Sequence, residues 1–174
     1  MGFLNEQRGL YVADSEFKYY SEGAYGLVFV DRAKGRILKV YRARQPLPHS
    51  TEVFNAEVEA YKIAMKSDDL KKLVPEFFGA RTGLIIMDKD GTDVTNEFYP
   101  NLAFEAEFVP GEFRKISFAP ESEQKQVMEL FRSHGINHAI DASITLEGEK
   151  IRKLIDFAIR ENVPRVESLE EGDE

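Results

Sequence analysis

Ser21-Glu22-Gly23-Ala24-Tyr25-Gly26-Leu27-Val28-Phe29-Val30, followed past Gly35 by Ile37-Leu38-Lys39-Val40-Tyr41, is the stretch that decides the fold of this chain. Two runs rich in β-branched and aromatic residues are punctuated by glycines, so residues 16–41 are predicted to run strand, turn, strand, turn, strand. Gly23 and Gly26 would let backbone amides approach an anion with no Cβ in the way. A plain strand turn uses glycine equally well, and the segment by itself supports both readings. Lys39 stands alone among Ile37, Leu38 and Val40, where burial demands an anionic partner. The simpler alternative is an edge-strand lysine whose stem carries its head to water.

Working outward, Phe54, Val58, Tyr61 and Met65 recur at helical spacing, which predicts a helix over 51–65 with Thr51 as its N-cap. Glu57 falls on the margin of that apolar face and Glu59 points away, so Glu57 is the acid able to meet Lys39. Two extended stretches, 83–87 and 102–109, flank the polar segment 88–96 and are expected to form a long hairpin connection. A second amphipathic helix is expected over 120–133, carrying Val127, Leu130 and Phe131 inward, and a compact hairpin pairs 144–146 with 151–155. The order of elements makes the chain α+β.

Composition narrows the function classes. The 174 residues suit one domain, or two small lobes around a cleft. Cysteine is absent, which excludes disulfides, thiolate zinc sites and cysteine nucleophiles. The net charge is −8, with Glu167, Glu170, Glu171, Asp173 and Glu174 crowding the C-terminus, so binding to a phosphate backbone is not expected. No apolar run approaches the roughly 18 residues of a membrane span, and no secretory leader is evident. The expected location is cytoplasmic, or a host cytosol reached by delivery.

The loop, the strand lysine and the helix glutamate, in this order and spacing, resemble the N-terminal lobe of eukaryotic-type protein kinases. Residues 21–28 match the G-x-G-x-x-G-x-V loop with Ser21 replacing the first glycine, Lys39 matches the lysine of V-A-I-K, and Glu57 its ion-pair partner. Ala106-Glu107-Phe108-Val109-Pro110-Gly111 resembles the strand and hinge between kinase lobes. There Ala106 would be the gatekeeper, and backbone groups of Glu107 and of Val109 or Phe108 would bond adenine. Asp156-Phe157-Ala158 resembles D-F-G with alanine for glycine. The resemblance implies ATP or ADP bound with Mg2+, with Ser21, Gly23, Gly26, Val28, Lys39, Glu57, Glu107 and Val109 at the nucleotide and Asp156 at the metal. It also implies a five-stranded antiparallel sheet plus one helix over 1–111, a strongly reduced C-lobe over 112–163 and an acidic tail over 164–174.

The catalytic segment departs from the family. Counting back from Asp156 places Ser143 at the second metal-binding position and His138 at the catalytic aspartate, while Asp141 lies three residues further on in the same loop. His138 could accept a proton near neutral pH, or could be a purely structural histidine. The main expectation is a degenerate, pseudokinase-like domain that binds nucleotide and acts through a protein partner. The alternatives are an active minimal Ser/Thr kinase-like transferase using His138 or Asp141, and an interaction domain without nucleotide.

Overall fold

The computed structural model describes residues 2–157 of the chain, with side chains from residue 5 onward. The third D-F-G-like residue, Ala158, the last residues of the expected C-lobe and the acidic tail lie outside the described residues. The elements run α1 (Gly2–Arg8), β1 (Tyr11–Val12), β2 (Lys18–Glu22), β3 (Gly26–Asp31), β4 (Arg36–Arg42), α2 (Leu47–Met65), α3 (Asp68–Lys71) and β5 (Phe77–Arg81). They continue as β6 (Ile86–Met87), β7 (Phe98–Glu107), β8 (Arg114–Lys115), α4 (Glu121–Ser133), β9 (Ser143–Glu147) and β10 (Lys150–Ile155). Short 3-10 turns occupy Thr95–Glu97, Ile116–Phe118 and Ala139–Asp141.

The fold is α+β, built on a curled antiparallel sheet with few helices. That sheet has seven strands in the order β5-β7-β4-β3-β2-β1-β6, not the expected five. The sequence places β6 inside the extended stretch 83–87 but gives no sign of β5 or of the two-residue β1. β1 and β6 pair at the far edge of the sheet. They curl the sheet round so that Leu10, Val12, Phe17, Leu84, Ile86, Val94 and Phe98 pack with Leu27, Phe29, Leu38, Val40 and Ala103 in one core.

Side chains alternate across a strand, so Leu38 and Val40 enter that core while Ile37, Lys39 and Tyr41 face the opposite way. On that second face lies the larger core, where Tyr41, Phe54, Val58, Tyr61 and Phe104 meet Ile116, Val127, Phe131, Ile144, Leu154 and Phe157. It runs unbroken from the seven-stranded sheet through α2 into α4 and the three-stranded sheet β10-β9-β8. Coverage on both faces explains why β3 and β4 read as near-continuous apolar runs.

Several local expectations shift. Helix α2 begins at Leu47, four residues before the expected N-cap, because Pro48 is tolerated in a first helical turn. Thr51 is therefore an interior residue of the helix. The segment 83–87 does not pair with 102–109: β6 pairs with β1, and the antiparallel neighbours of β7 are β4 and β5. Helix α4 and the β9–β10 hairpin lie where the sequence places them.

Candidate functional site

β4 is an interior strand, hydrogen-bonded to β3 on one side and β7 on the other, so Lys39 has no sheet edge from which to reach water. It is 6% exposed, and Glu57 on α2 is 3% exposed. Lys39 Nζ donates to Glu57 Oε2 at 3.0 Å, and the Tyr41 hydroxyl donates to the other carboxylate oxygen. The edge-lysine alternative is thereby removed. Glu59, two residues on, is exposed.

Lys39 and Glu57 open onto a cavity of about 300 Å3, a size suited to a small-molecule ligand. β2 and β3 contribute Tyr20, Ser21 and Val28; β4 and β7 contribute Ile37, Phe104, Ala106 and Glu107; Phe108, Val109, Gly111 and Phe113 follow β7; Ile155 and Asp156 close β10. The walls are mostly apolar, and the charges gather at Lys39, Glu57, Asp156 and Glu107. Seven of the residues singled out in the sequence thus converge here: Ser21, Val28, Lys39, Glu57, Glu107, Val109 and Asp156.

Asp156 is held by its neighbour. Phe157 is buried against Tyr61, with ring centroids 5.0 Å apart, and against Phe131 at 5.5 Å. Asp156 itself adopts φ 58°, a left-handed backbone that aspartate tolerates better than most residues but that still costs about 1 kcal/mol. Burial first, and then the negative charges of Glu57 and Asp156, push ionisation of the Tyr61 hydroxyl well above its usual range. Tyr61 therefore stays neutral while lining a site whose carboxylates sit close by.

Backbone donors at the end of β7 and just after it are unevenly used. The Glu107 N–H donates to the Glu76 carbonyl and the Phe108 N–H to the Gly35 carbonyl, each at 2.8 Å. Among the described residues the Val109 N–H donates to no backbone carbonyl.

The glycines behave differently from the expectation. Gly23 and Gly26 do not line the cavity. The Gly23 N–H is taken by the Gly26 carbonyl at 2.9 Å, closing a tight β2–β3 turn, and the Gly23 carbonyl accepts from the Arg42 guanidinium. At Gly26 a Cβ would lie 2.5 Å from the Val40 carbonyl oxygen, so close approach of β3 to β4 accounts for that glycine. Between them Tyr25 turns inward, its hydroxyl 3.0 Å from His49 Nε2 and its ring packed on Tyr41.

His138, Asp141 and Ser143 also stand outside the cavity lining. Ser143 pairs with Ile155 across the β9–β10 hairpin, one residue from Asp156, but its side chain is not among the lining groups. His138 precedes the 3-10 turn that ends in Asp141. Among the described residues Asp141 Oδ2 is buried with no hydrogen-bond partner.

A polar cluster that the sequence reading missed fixes the base of the glycine turn. Glu22 accepts from Asn5 at 2.8 Å, Tyr19 at 3.0 Å and Arg42 at 3.0 Å. Burial alone would raise its pKa, but hydrogen bonds, those from Asn5 and Tyr19 among them, together with the Arg42 charge outweigh it and hold the carboxyl at about 2. The partners come from three elements, and no local spacing announces them.

A scan of protein-family models and searches of curated proteins and of solved structures return no match to this chain.

Two outcomes are expected. Lys39→Met leaves the Glu57 carboxylate buried beside Tyr41 alone, and should lower unfolding stability in urea by about 3–5 kcal/mol, while Lys39→Met with Glu57→Leu recovers part of the loss. The Glu22 contribution is complete above its ordinary value of 4.5 and is lost as pH falls toward about 2. Glu22→Gln should therefore show a smaller drop in melting temperature than the parent chain when pH is lowered through that window.

Proposed function

We propose that this chain is a protein-kinase-like domain that binds an adenine nucleotide with magnesium in the Lys39–Glu57–Asp156 cavity and has lost the usual arrangement for phosphotransfer. The observation that carries the reading is the convergence of three separately predicted charges on one open, apolar-walled cavity. A lysine clamped by a glutamate presents a fixed cation to phosphate oxygens. An aspartate at the end of β10 is a hard oxygen donor, and magnesium is commonly held by one or two carboxylates together with the phosphates themselves. Asp156 fits that role, since Glu57 is engaged by Lys39 and Tyr41. Bound there, the ion would neutralise phosphate charge.

The apolar walls from Val28, Ile37, Ala106, Val109 and Ile155 suit a flat base, and the Val109 N–H is the donor left to meet it. Five neighbouring strands, β5, β7, β4, β3 and β2, together with α2 between the third and fourth of them in sequence, supply the elements that the resemblance calls for. A role through a protein partner draws support from Phe118 and Ile140, each 63% exposed on turns packed beside α4.

Loss of ordinary transfer is argued from position. No proton acceptor from the His138–Asp141 loop lines the cavity, and a general base has to reach the proton it removes. One observation favours the second reading, an active minimal transferase: Asp141 keeps a carboxylate oxygen free of hydrogen bonds. On that reading Asp141→Asn abolishes transfer of the ATP γ-phosphate to a protein acceptor. On the first reading the parent chain shows no such transfer to abolish.

The test is thermal unfolding with and without magnesium and ATP. At about 100 times its dissociation constant the ligand should stabilise by roughly 2.7 kcal/mol, raising Tm by roughly 5–10 °C. Asp156→Ala should keep the fold and lose the magnesium-dependent shift, and Lys39→Ala should melt lower and lose the shift as well. No shift at millimolar ATP would set the nucleotide reading aside in favour of an interaction domain without nucleotide.

A further inference from the structure

Tyr20 borders two depressions. One is the cavity described above; the other is an open groove of about 620 Å3 to which α1 and the turn after it, β1, β2, the β3–β4 turn and the loop after β6 all contribute. Three cations line this groove, Lys18, Arg32 and Lys89, against the single carboxylate of Glu6. All three are exposed, and none forms an ion pair with a carboxylate among the described residues. In a chain of net charge −8 this is a local reversal of sign.

The cations are interleaved with tyrosines. Tyr11, Tyr19 and Tyr20 line the same groove, and rings of this kind offer apolar area with a hydrogen-bonding tip, the side chain most favoured at protein interfaces. Arg32 has a defined seat: its guanidinium carbon lies 5.7 Å from the centroid of Tyr20 and 5.2 Å from that of Phe108, and these two rings meet edge to face at 5.4 Å. The Arg32 cation is thus seated on an aromatic pair, and part of its loss of side-chain freedom is settled before a partner arrives.

We infer that the groove lined by Lys18, Arg32, Lys89 and the tyrosines is a docking site for an acidic peptide segment of a protein partner. Charge complementarity selects the occupant. Unpaired cations attract carboxylates, and the rings accept the apolar side chains between them. A long phosphate backbone would have to cross the acidic remainder of the surface, which repels it. The inference does not depend on whether the neighbouring cavity holds a nucleotide.

The experiment measures fluorescence anisotropy of a fluorescein-labelled hexapeptide of four glutamates and two tyrosines titrated with the full chain at low ionic strength. Binding is expected, weakened roughly tenfold by Lys18→Glu with Lys89→Glu and about threefold by Arg32→Gln, with circular dichroism and Tm unchanged. Lys62→Glu with Lys125→Glu, the same charge change at exposed sites elsewhere, should leave it unaltered. The inference is overturned if the parent chain fails to bind the peptide up to about 1 mM. It is equally overturned if the two double variants weaken binding alike, or if a single-stranded oligonucleotide binds more tightly and displaces the peptide.

Discussion

A lysine on the interior strand of a sheet has to be met by a carboxylate, and in this chain the position of α2 follows from that requirement. An ammonium stripped of water costs several kcal/mol unless it is paired and hydrogen-bonded. Glu57 supplies the pair, and Tyr41, two residues from Lys39 on the same strand face, satisfies the second carboxylate oxygen. The apolar residues one turn to either side, Phe54, Val58 and Tyr61, then have only one face of the sheet to cover. Register along β4 and rotation of α2 are set together by one buried contact. Replacing one member alone strands the other charge in the core, which costs about 3–5 kcal/mol on general grounds.

The cavity exists because the two layers around the pair do not close. β2, β3, the segment after β7 and the end of β10 border a common gap, leaving mostly apolar walls with charges at Lys39, Glu57, Glu107 and Asp156. Phe157 is the counterpart of Glu57 on the far side. Sunk between Tyr61 and Phe131, it anchors the end of β10 and carries Asp156 into the lining in a backbone conformation that has to be held against its own preference. An aspartate held in a left-handed backbone and an ammonium clamped by a carboxylate meet on one cavity, and they form the physical core of the nucleotide-binding proposal.

Much of this was legible in the sequence, because the deciding signals are local or periodic. Lys39 in an apolar run and Glu57 on the margin of a helical face announce themselves within a few residues, whereas Asp156 is picked out by the resemblance of 156–158 to D-F-G. The three central strands, α4 and the β9–β10 hairpin were readable from alternation, helical spacing and turn residues. What escaped was made by distant segments or by elements too short to have a period. β1 is two residues long; β5 is an edge strand interrupted at Gly79, which takes a positive φ. The Glu22 cluster draws on residues 5, 19 and 42. Gly23 and Gly26 show the opposite hazard. The glycine spacing is plain in the sequence, but the closing hydrogen bond of a turn and the nearness of Val40 account for both glycines without a ligand.

The most direct measurement is a map of amide 1H–15N chemical shifts as a non-hydrolysable ATP analogue is added with magnesium to the 15N-labelled chain. If the cavity is the nucleotide site, the largest shifts fall on Val28, Lys39, Val109 and Asp156, with Val109 standing out because its N–H gains an acceptor. Shifts confined to other surfaces, or none at millimolar analogue, would contradict the account and leave the Lys39–Glu57 pair as a structural contact alone.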